Sequence, residues 1–472
     1  MSDEPRMEAD AIVIGAGLAG LTATRELKQA GWTVRLLEAR ERVGGRLKGY
    51  ALGDGKAVDL GGEYFGDKST LIAETARSVG VERFSTYDDG ERVAFVNGKR
   101  FTYGGLIPLR LGPVALPDFG RAVLKIERLA RRVPPDRPWT APDAEKLDSQ
   151  TFWSWCRRNV ATAPARAFLT MAVEAAYCAG PADLSMLHVL TYANASGGFR
   201  YLLEVTKGIQ RYRFDGGAHS VADKLAARLP DELRTGAVVR GIEQRSDSVV
   251  VSGPGFTARA RFVVVAVPVT LAGRIAYTPA LAGFRDQLTQ RMPAGSAIKC
   301  LAIYDEPFWR ADGRSGQVTS TDGPFRVAFD TSPADGSPGV LSAFVTGRAA
   351  RTLTLLSPAE RRSAVLDGLA KGLGPRAAKV VDFVEQNWLD EEFTRGCYHG
   401  YATPGTLTAH GPALRAPIGR IHWAGTETGV HQLGSMGGAI DSGRRAAREL
   451  LARERGERPA GRRAEELTGH VQ

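Results

Sequence analysis

The feature that most restricts what this chain can fold into is Gly15-Ala16-Gly17-Leu18-Ala19-Gly20. It follows a short β-branched run, residues 10–14 (DAIVI), and precedes TATRELKQAG, a helical stretch that Gly31 closes. WTVRLLEA then reads as a second strand ending in Glu38. A strand, a glycine turn, a helix and a strand make one βαβ unit of about 30 residues, the setting in which G-x-G-x-x-G holds a dinucleotide. Each glycine has its own task. Gly15 makes the tight turn. Gly17 admits a pyrophosphate against the free N–H groups of the helix N-terminus. Gly20 lets helix and strand pack closely. Glu38 is expected to accept from both ribose hydroxyls, an arrangement that a 2′-phosphate would block.

With 472 residues the chain exceeds one simple core, so two or three domains are expected. Its 43% hydrophobic and 24% charged residues are those of an ordinary globular protein. A net charge of +10 raises the question of a nucleic-acid or membrane partner. That charge is local: residues 110–137 hold seven basic and three acidic side chains, and residues 444–472 hold eight arginines and five glutamates. No stacking aromatics interleave the second cluster, so no nucleic acid is expected. Cys156, Cys178, Cys300 and Cys397 are widely spaced without a CxxC, which argues against a disulfide framework or a zinc knuckle. The opening MSDEPRMEAD lacks the apolar core of a signal peptide. The run Phe262 to Val267 is too short to span a bilayer, and the polar segment 453–472 cannot enter one. The expectation is a cytoplasmic protein with no membrane and no metal partner.

Further along, residues 40–66 are glycine-dense and read as irregular backbone between short strands. Residues 67–90 look helical, and RVAFVNGKRFTYGG looks like a β-meander. Residues 119–132 and 144–177 have helical periodicity, with a proline-rich loop between them. From residue 230 a series of strands ends in an almost continuous apolar one, as expected for a strand covered on both faces. Residues 295–304 and 338–346 read as strands of a second sheet. Helices are expected over 357–373 and 434–451, and a short strand over 420–424.

ARERVGGR (39–46), directly after Glu38, resembles the second signature of FAD enzymes of the glutathione-reductase-like superfamily. That resemblance selects FAD over NAD and turns Arg40 and Arg46 toward the phosphates. Four more stretches carry a closer likeness: VDLGGEYFG (58–66), GSAIKCLAIYDEPFWR (295–310), NWLDEEFTRGCYHGYATPG (387–405) and IHWAGTETGVHQLGSMGGAIDSGRRAAREL (421–450). Over roughly residues 9–452 the chain resembles the flavin-containing amine oxidases, and within them the monoamine oxidases most closely.

The resemblance implies an α/β fold: a Rossmann-like FAD-binding domain and an α+β substrate domain with a mixed sheet and helices. The expected division gives residues 1–90, 212–290 and 390–452 to the FAD domain, 91–211 and 291–389 to the substrate domain, and 453–472 to a polar tail. Gly61 and Gly62 are expected to bring backbone against FAD, and Val239 to bind adenine through its backbone. Thr426 and Glu427 would lie by the phosphate or ribityl oxygens, and Met436 at the flavin pyrimidine edge. Trp388 would pack beside the flavin. Cys397, in GCYxxY, looks like the cysteine that carries flavin through a thioether. Lys299 matches the lysine that holds a water against flavin N5; read alone, it is a strand lysine free to face solvent. Leu203, Gln210 and Phe329 align with substrate-cavity positions.

Two aromatic rings clamp the amine in monoamine oxidases. Tyr398 matches one. Ser435 stands where the second is expected, and Gly437 where an acidic residue is usual. Either Tyr64 or Tyr177 supplies another ring, or the cavity is enlarged for a bulkier amine. The implied reaction passes hydride equivalents from the amine to flavin N5, gives an imine that water hydrolyses, and ends with O2 taking the electrons as hydrogen peroxide. The expected substrate is not a small arylalkylamine. A flavin-dependent desaturase and a flavin-binding scaffold without catalysis are the alternatives. The expected partners are an amine, O2 and, by family habit, a second copy of the chain.

Overall fold

A computed structural model describes residues 6–96, 98–104 and 112–457. The predicted βαβ unit is present: β1 (Arg6–Ile14), α1 (Leu18–Gln29) and β2 (Val34–Leu37). β1 is an inner strand of an eight-stranded sheet, parallel to β2 on one side and to Phe256–Val265 on the other. Ile12, Val13, Val263 and Val264 are fully buried, as strands covered on both faces require. α1 packs on the long helix Met436–Glu454, and small residues set their distance. A Cβ on Gly443 would sit 2.3 Å from the Ala19 carbonyl oxygen.

The second sheet has seven strands, in the order Asp382–Asn387, Ala297–Tyr304, Gly339–Thr346, Val327–Asp330, Arg314–Ser320, Glu91–Val96, Lys99–Tyr103. It is antiparallel except where Arg314–Ser320 meets Glu91–Val96. Every position of Ala297–Tyr304 and Gly339–Thr346 is buried. The helices between residues 115 and 203 share a separate apolar core around Phe119, Ile126, Leu169 and Leu190.

Three sequence expectations are corrected. Helix over 67–90 is confined to Thr70–Ser78, because Gly80 turns the chain at φ +67° and Arg83–Ser85 pairs with Tyr212–Phe214. Residues 144–177 are three helices, Ala144–Asp148, Phe152–Asn159 and Ala163–Tyr177. The breaks are built in: Thr151 caps the second helix by accepting from the Ser154 N–H, and Asp118 fixes Thr162 through its N–H and hydroxyl at 2.8 and 2.9 Å. The last helix runs to Glu454, into the segment expected to be a polar tail, and residues 458–472 of that segment lie outside the described residues. Among the described residues no helix is long and apolar enough to cross a membrane.

Candidate active site

One continuous cavity of about 470 Å³ runs from the Gly15 turn to the second sheet. Its first arm has the shape of a dinucleotide cradle. Gly15 has φ +102°, and Gly17, the N-cap of α1, offers no side-chain cap, so the first N–H groups of the helix lack a side-chain acceptor where Gly17, Leu18 and Ala19 border the cavity. A Cβ on Gly17 would meet nothing nearer than the Gly44 oxygen at 3.9 Å, so this backbone is open to a ligand. Gly20 does not border the cavity. Its Cβ would lie 1.8 Å from the Gly15 oxygen, so its task is close packing. Glu38 is buried beside the turn and accepts from the N–H groups of Ala16 and Arg40 at 2.7 and 3.1 Å. Val239 borders the same arm. These residues fit a dinucleotide.

The two arginines border the cavity, yet each is already held by a carboxylate. Arg40 reaches Glu391 at 2.9 Å and the Thr394 hydroxyl at 2.6 Å. Arg46 donates to Glu427 at 2.7 Å and to the Tyr398 carbonyl at 2.8 Å, tying three separate sequence motifs together. Glu427 lies behind the cavity wall with its side chain 1% exposed. Burial pushes its carboxyl up, but Arg46 and the Gly400 N–H outweigh burial and hold it at about 2. Glu427 is therefore a charged anchor for the wall, set one layer back from the ligand position that the sequence suggested.

At the junction of the two arms sit Cys397, Tyr398, Trp388 and Lys299. Cys397 is packed among Trp388, Cys178, Ala297 and Tyr398, and burial pushes its thiol up to about 12. Burial also raises the Tyr398 hydroxyl well above its ordinary value. Trp388 is anchored by its indole N–H to the Leu60 carbonyl at 3.0 Å. Gly61 and Gly62 border the cavity, and a Cβ on Gly61 would strike the Arg46 oxygen at 2.1 Å. Lys299 points inward from its buried strand. Its ammonium is 2.6 Å from Glu63 and 3.2 Å from the Gly61 carbonyl. Glu63 in turn accepts from Arg213 at 2.7 Å, forming a buried cation–anion–cation chain. The sequence reading did not single out Glu63; its only signal was a carboxylate next to the double glycine of DLGG.

Thr426, Ser435 and Met436 border the cavity where the last helix begins. Ser435 caps that helix: its oxygen accepts from the Gly438 N–H, and its hydroxyl donates to the Gln432 carbonyl at 2.7 Å. Thr426 donates to the Ser435 carbonyl at 2.7 Å. A Cβ at 437 would lie 1.7 Å from Gln432 Oε1, so a side chain there would have to displace the Gln432 amide. The second aromatic ring is not restored by Tyr177, whose hydroxyl is bonded to the Val189 carbonyl and which does not border the cavity. Tyr64 does border it, among Phe329 and Phe344. The ring nearest Tyr398 is Phe344, edge-on at 6.4 Å and 79°, a residue that the sequence reading missed. Leu203, Gln210 and Phe329 all line this second arm.

Comparison with known proteins gives the same picture. The model of the flavin-containing amine oxidoreductases matches residues 18–451. "Probable flavin-containing monoamine oxidase A" of Dictyostelium discoideum is 38% identical, covering 93% of this chain and 97% of its own. Flavin-containing amine oxidase B of Sus scrofa is 34% identical over 94% of this chain and 86% of its own. Among solved structures, wild-type putrescine oxidase bound to putrescine superposes with a TM-score of 0.91 at 30% identity, covering 95% of this chain and 100% of that one. Cyclohexylamine oxidase from Brevibacterium oxydans IH-35A gives 0.90 at 30% identity, covering 95% and 99%. A glycine cradle, a cysteine–tyrosine junction and likeness along nearly the whole chain lead to one conclusion: this chain belongs to the flavin-containing amine oxidoreductases, enzymes that oxidise CH–NH groups.

Proposed function

We propose that this enzyme holds FAD covalently through Cys397 Sγ and oxidises a bulky or extended monoamine with an apolar body, using O2 as the final acceptor. The observation that carries this reading is the single cavity in which Cys397, Tyr398 and Lys299 stand between a dinucleotide cradle and an apolar arm. When bound, the flavin supplies the acceptor for the hydride equivalents that leave the amine's α-carbon. The protein's own residues do the rest. The uncapped start of α1 and the Gly15–Gly17 backbone would hold the pyrophosphate, with Glu38 toward the ribose and Val239 toward the adenine. Trp388, Gly61, Gly62, Thr426 and Met436 border the cavity and would wall a bound flavin, Thr426 toward its ribityl chain and Met436 toward its pyrimidine edge. Tyr398 and Phe344 orient the amine and exclude water, and Lys299, fixed by Glu63, positions a water at the reacting face.

Leu203, Gln210, Phe329 and Ser435 shape the amine's arm. The carboxylates that border the cavity, Glu38, Glu63 and Glu392, lie in the dinucleotide arm or at the junction. A diamine such as putrescine would leave its second ammonium unpaired in the apolar arm. Membership of the two sheets supports the division into a flavin domain (1–90, 212–290, 390–452) and a substrate domain (91–211, 291–389). The buried thiols of Cys156, Cys178 and Cys300, none of them in a disulfide, accord with a cytoplasmic location, and a homodimer completes the proposal; fractionation and sedimentation test these two points.

Hydrogen peroxide and aldehyde release are to be measured across benzylamine, tyramine and larger amines. Larger amines are expected to react faster. Equal turnover of benzylamine or tyramine would contradict the size assignment.

A further inference from the structure

A row of side chains crosses the seven-stranded sheet on the face turned to the cavity. Lys299 pairs in register with Phe344, Phe344 with Val327, and Val327 with Thr319. Directly paired residues share a face, and all four border the cavity. Strands lie about 4.8 Å apart, so the three steps from Lys299 to Thr319 span about 14 Å.

The strip changes character along its length. Its middle, Phe344, Val327 and Phe329, is apolar. Its far end is polar. Gln317, on the same strand as Thr319 just after the irregularity at Gly316, also borders the cavity, and its Oε1 is buried without a partner. Tyr103 reaches back across the intervening strand, its hydroxyl 3.5 Å from Thr319 Oγ1. A buried acceptor without a donor is unfavourable, and a ligand that donates to it removes the penalty. Among the described residues no carboxylate borders this end. The charged groups on this side are Arg200, whose side chain is 60% exposed, and the largely buried Arg92–Asp88 pair, whose opposite charges both act on the Tyr103 hydroxyl.

We infer that the substrate is a long monoamine whose far end carries a neutral hydrogen-bond donor, an amide or a hydroxyl, received by Gln317, Thr319 and Tyr103. This rests on the amine-oxidising reading above and specifies its substrate class. The amine nitrogen lies at the Tyr398 end, the apolar body covers Phe344 and Val327, and the tail reaches the polar end.

The test uses the flavin-loaded enzyme and linear primary amines whose nitrogen and tail lie about 10–14 Å apart. Their tails are a primary amide, a methyl group, an ammonium and a carboxylate. In kcat/KM the amide tail is expected to exceed the methyl tail by at least about tenfold. Gln317→Leu is expected to bring that ratio close to one. If Gln317→Leu fails to fold, Thr319→Val carries the same comparison, with the ratio expected to fall by at least about threefold. A methyl, ammonium or carboxylate tail that matches or exceeds the amide overturns the inference, and so does a ratio kept in the folded variants. Failure of every amine to reduce the flavin overturns the amine-oxidising reading itself, whereas turnover without tail preference overturns the tail assignment alone.

Discussion

Replacing Glu427 by glutamine removes one charge from the pair that joins the VGGR, GCY and GTET motifs. Its magnitude follows from the structure in two ways. Glu427 is held at about 2 against an ordinary 4.5, and that difference corresponds to about 3 kcal/mol of stability. Breaking a buried ion pair from one side costs about 3–5 kcal/mol. Arg46 keeps 21% of its side chain exposed, so water recovers part of its hydration and the lower end applies. Glutamine still offers an oxygen to the Gly400 N–H, which limits the damage to the loss of charge.

The sign with pH is fixed by the depressed folded value. The stabilisation is complete above the unfolded value near 4.5 and is lost as pH falls toward about 2. Urea unfolding of wild type and Glu427→Gln, both loaded with flavin, measures this. The variant is expected to be less stable by about 3 kcal/mol at neutral pH, with the gap closing as the solution is acidified from about pH 5 toward pH 2. A gap below about 1 kcal/mol, or one that does not change on acidification, would refute the reasoning.

Three other outcomes are expected. Cys397→Ala should release all its flavin to the supernatant on acid precipitation, whereas the wild-type pellet stays yellow; equal release from both proteins removes the thioether. Lys299→Met should retain flavin, because Glu63 keeps Arg213 at 2.7 Å, yet slow the reaction of reduced enzyme with O2 in stopped flow. Unchanged oxygen kinetics would contradict a role for Lys299. Gly20→Ala places a Cβ 1.8 Å from the Gly15 oxygen, so the glycine turn must shift. The expected loss is about 1–3 kcal/mol, with reduced flavin stoichiometry, and full flavin content would show that the turn tolerates the methyl group.

Much of the site was legible because its tasks are local. A glycine turn between a strand and a helix specifies its own geometry: Gly15 turns at φ +102°, Gly20 packs against it, and Gly17 leaves its backbone open. Helix Pro358–Leu373 was legible for a similar reason: Ser357 and Glu360 form a capping box at its start. What escaped the sequence is set by contacts between distant segments. Glu63 and Lys299 are 236 positions apart, and no periodicity joins them. Phe344 becomes the neighbour of Tyr398 only because its strand lies beside Ala297–Tyr304. Helical periodicity over 144–177 survived two breaks because each break depends on a remote or capping partner, Asp118 among them. Ser435 looked like a missing ring and is also a helix cap, a role visible only once the helix start is known.

The most direct test of the central claim is anaerobic mixing of the flavin-loaded enzyme with a panel of monoamines of graded length and polarity. The account predicts that extended, largely apolar monoamines bleach the flavin band, that admitting O2 restores it with release of hydrogen peroxide, and that diamines bleach it poorly. A flavin that stays oxidised with every amine, or one reduced best by a short diamine, would contradict it.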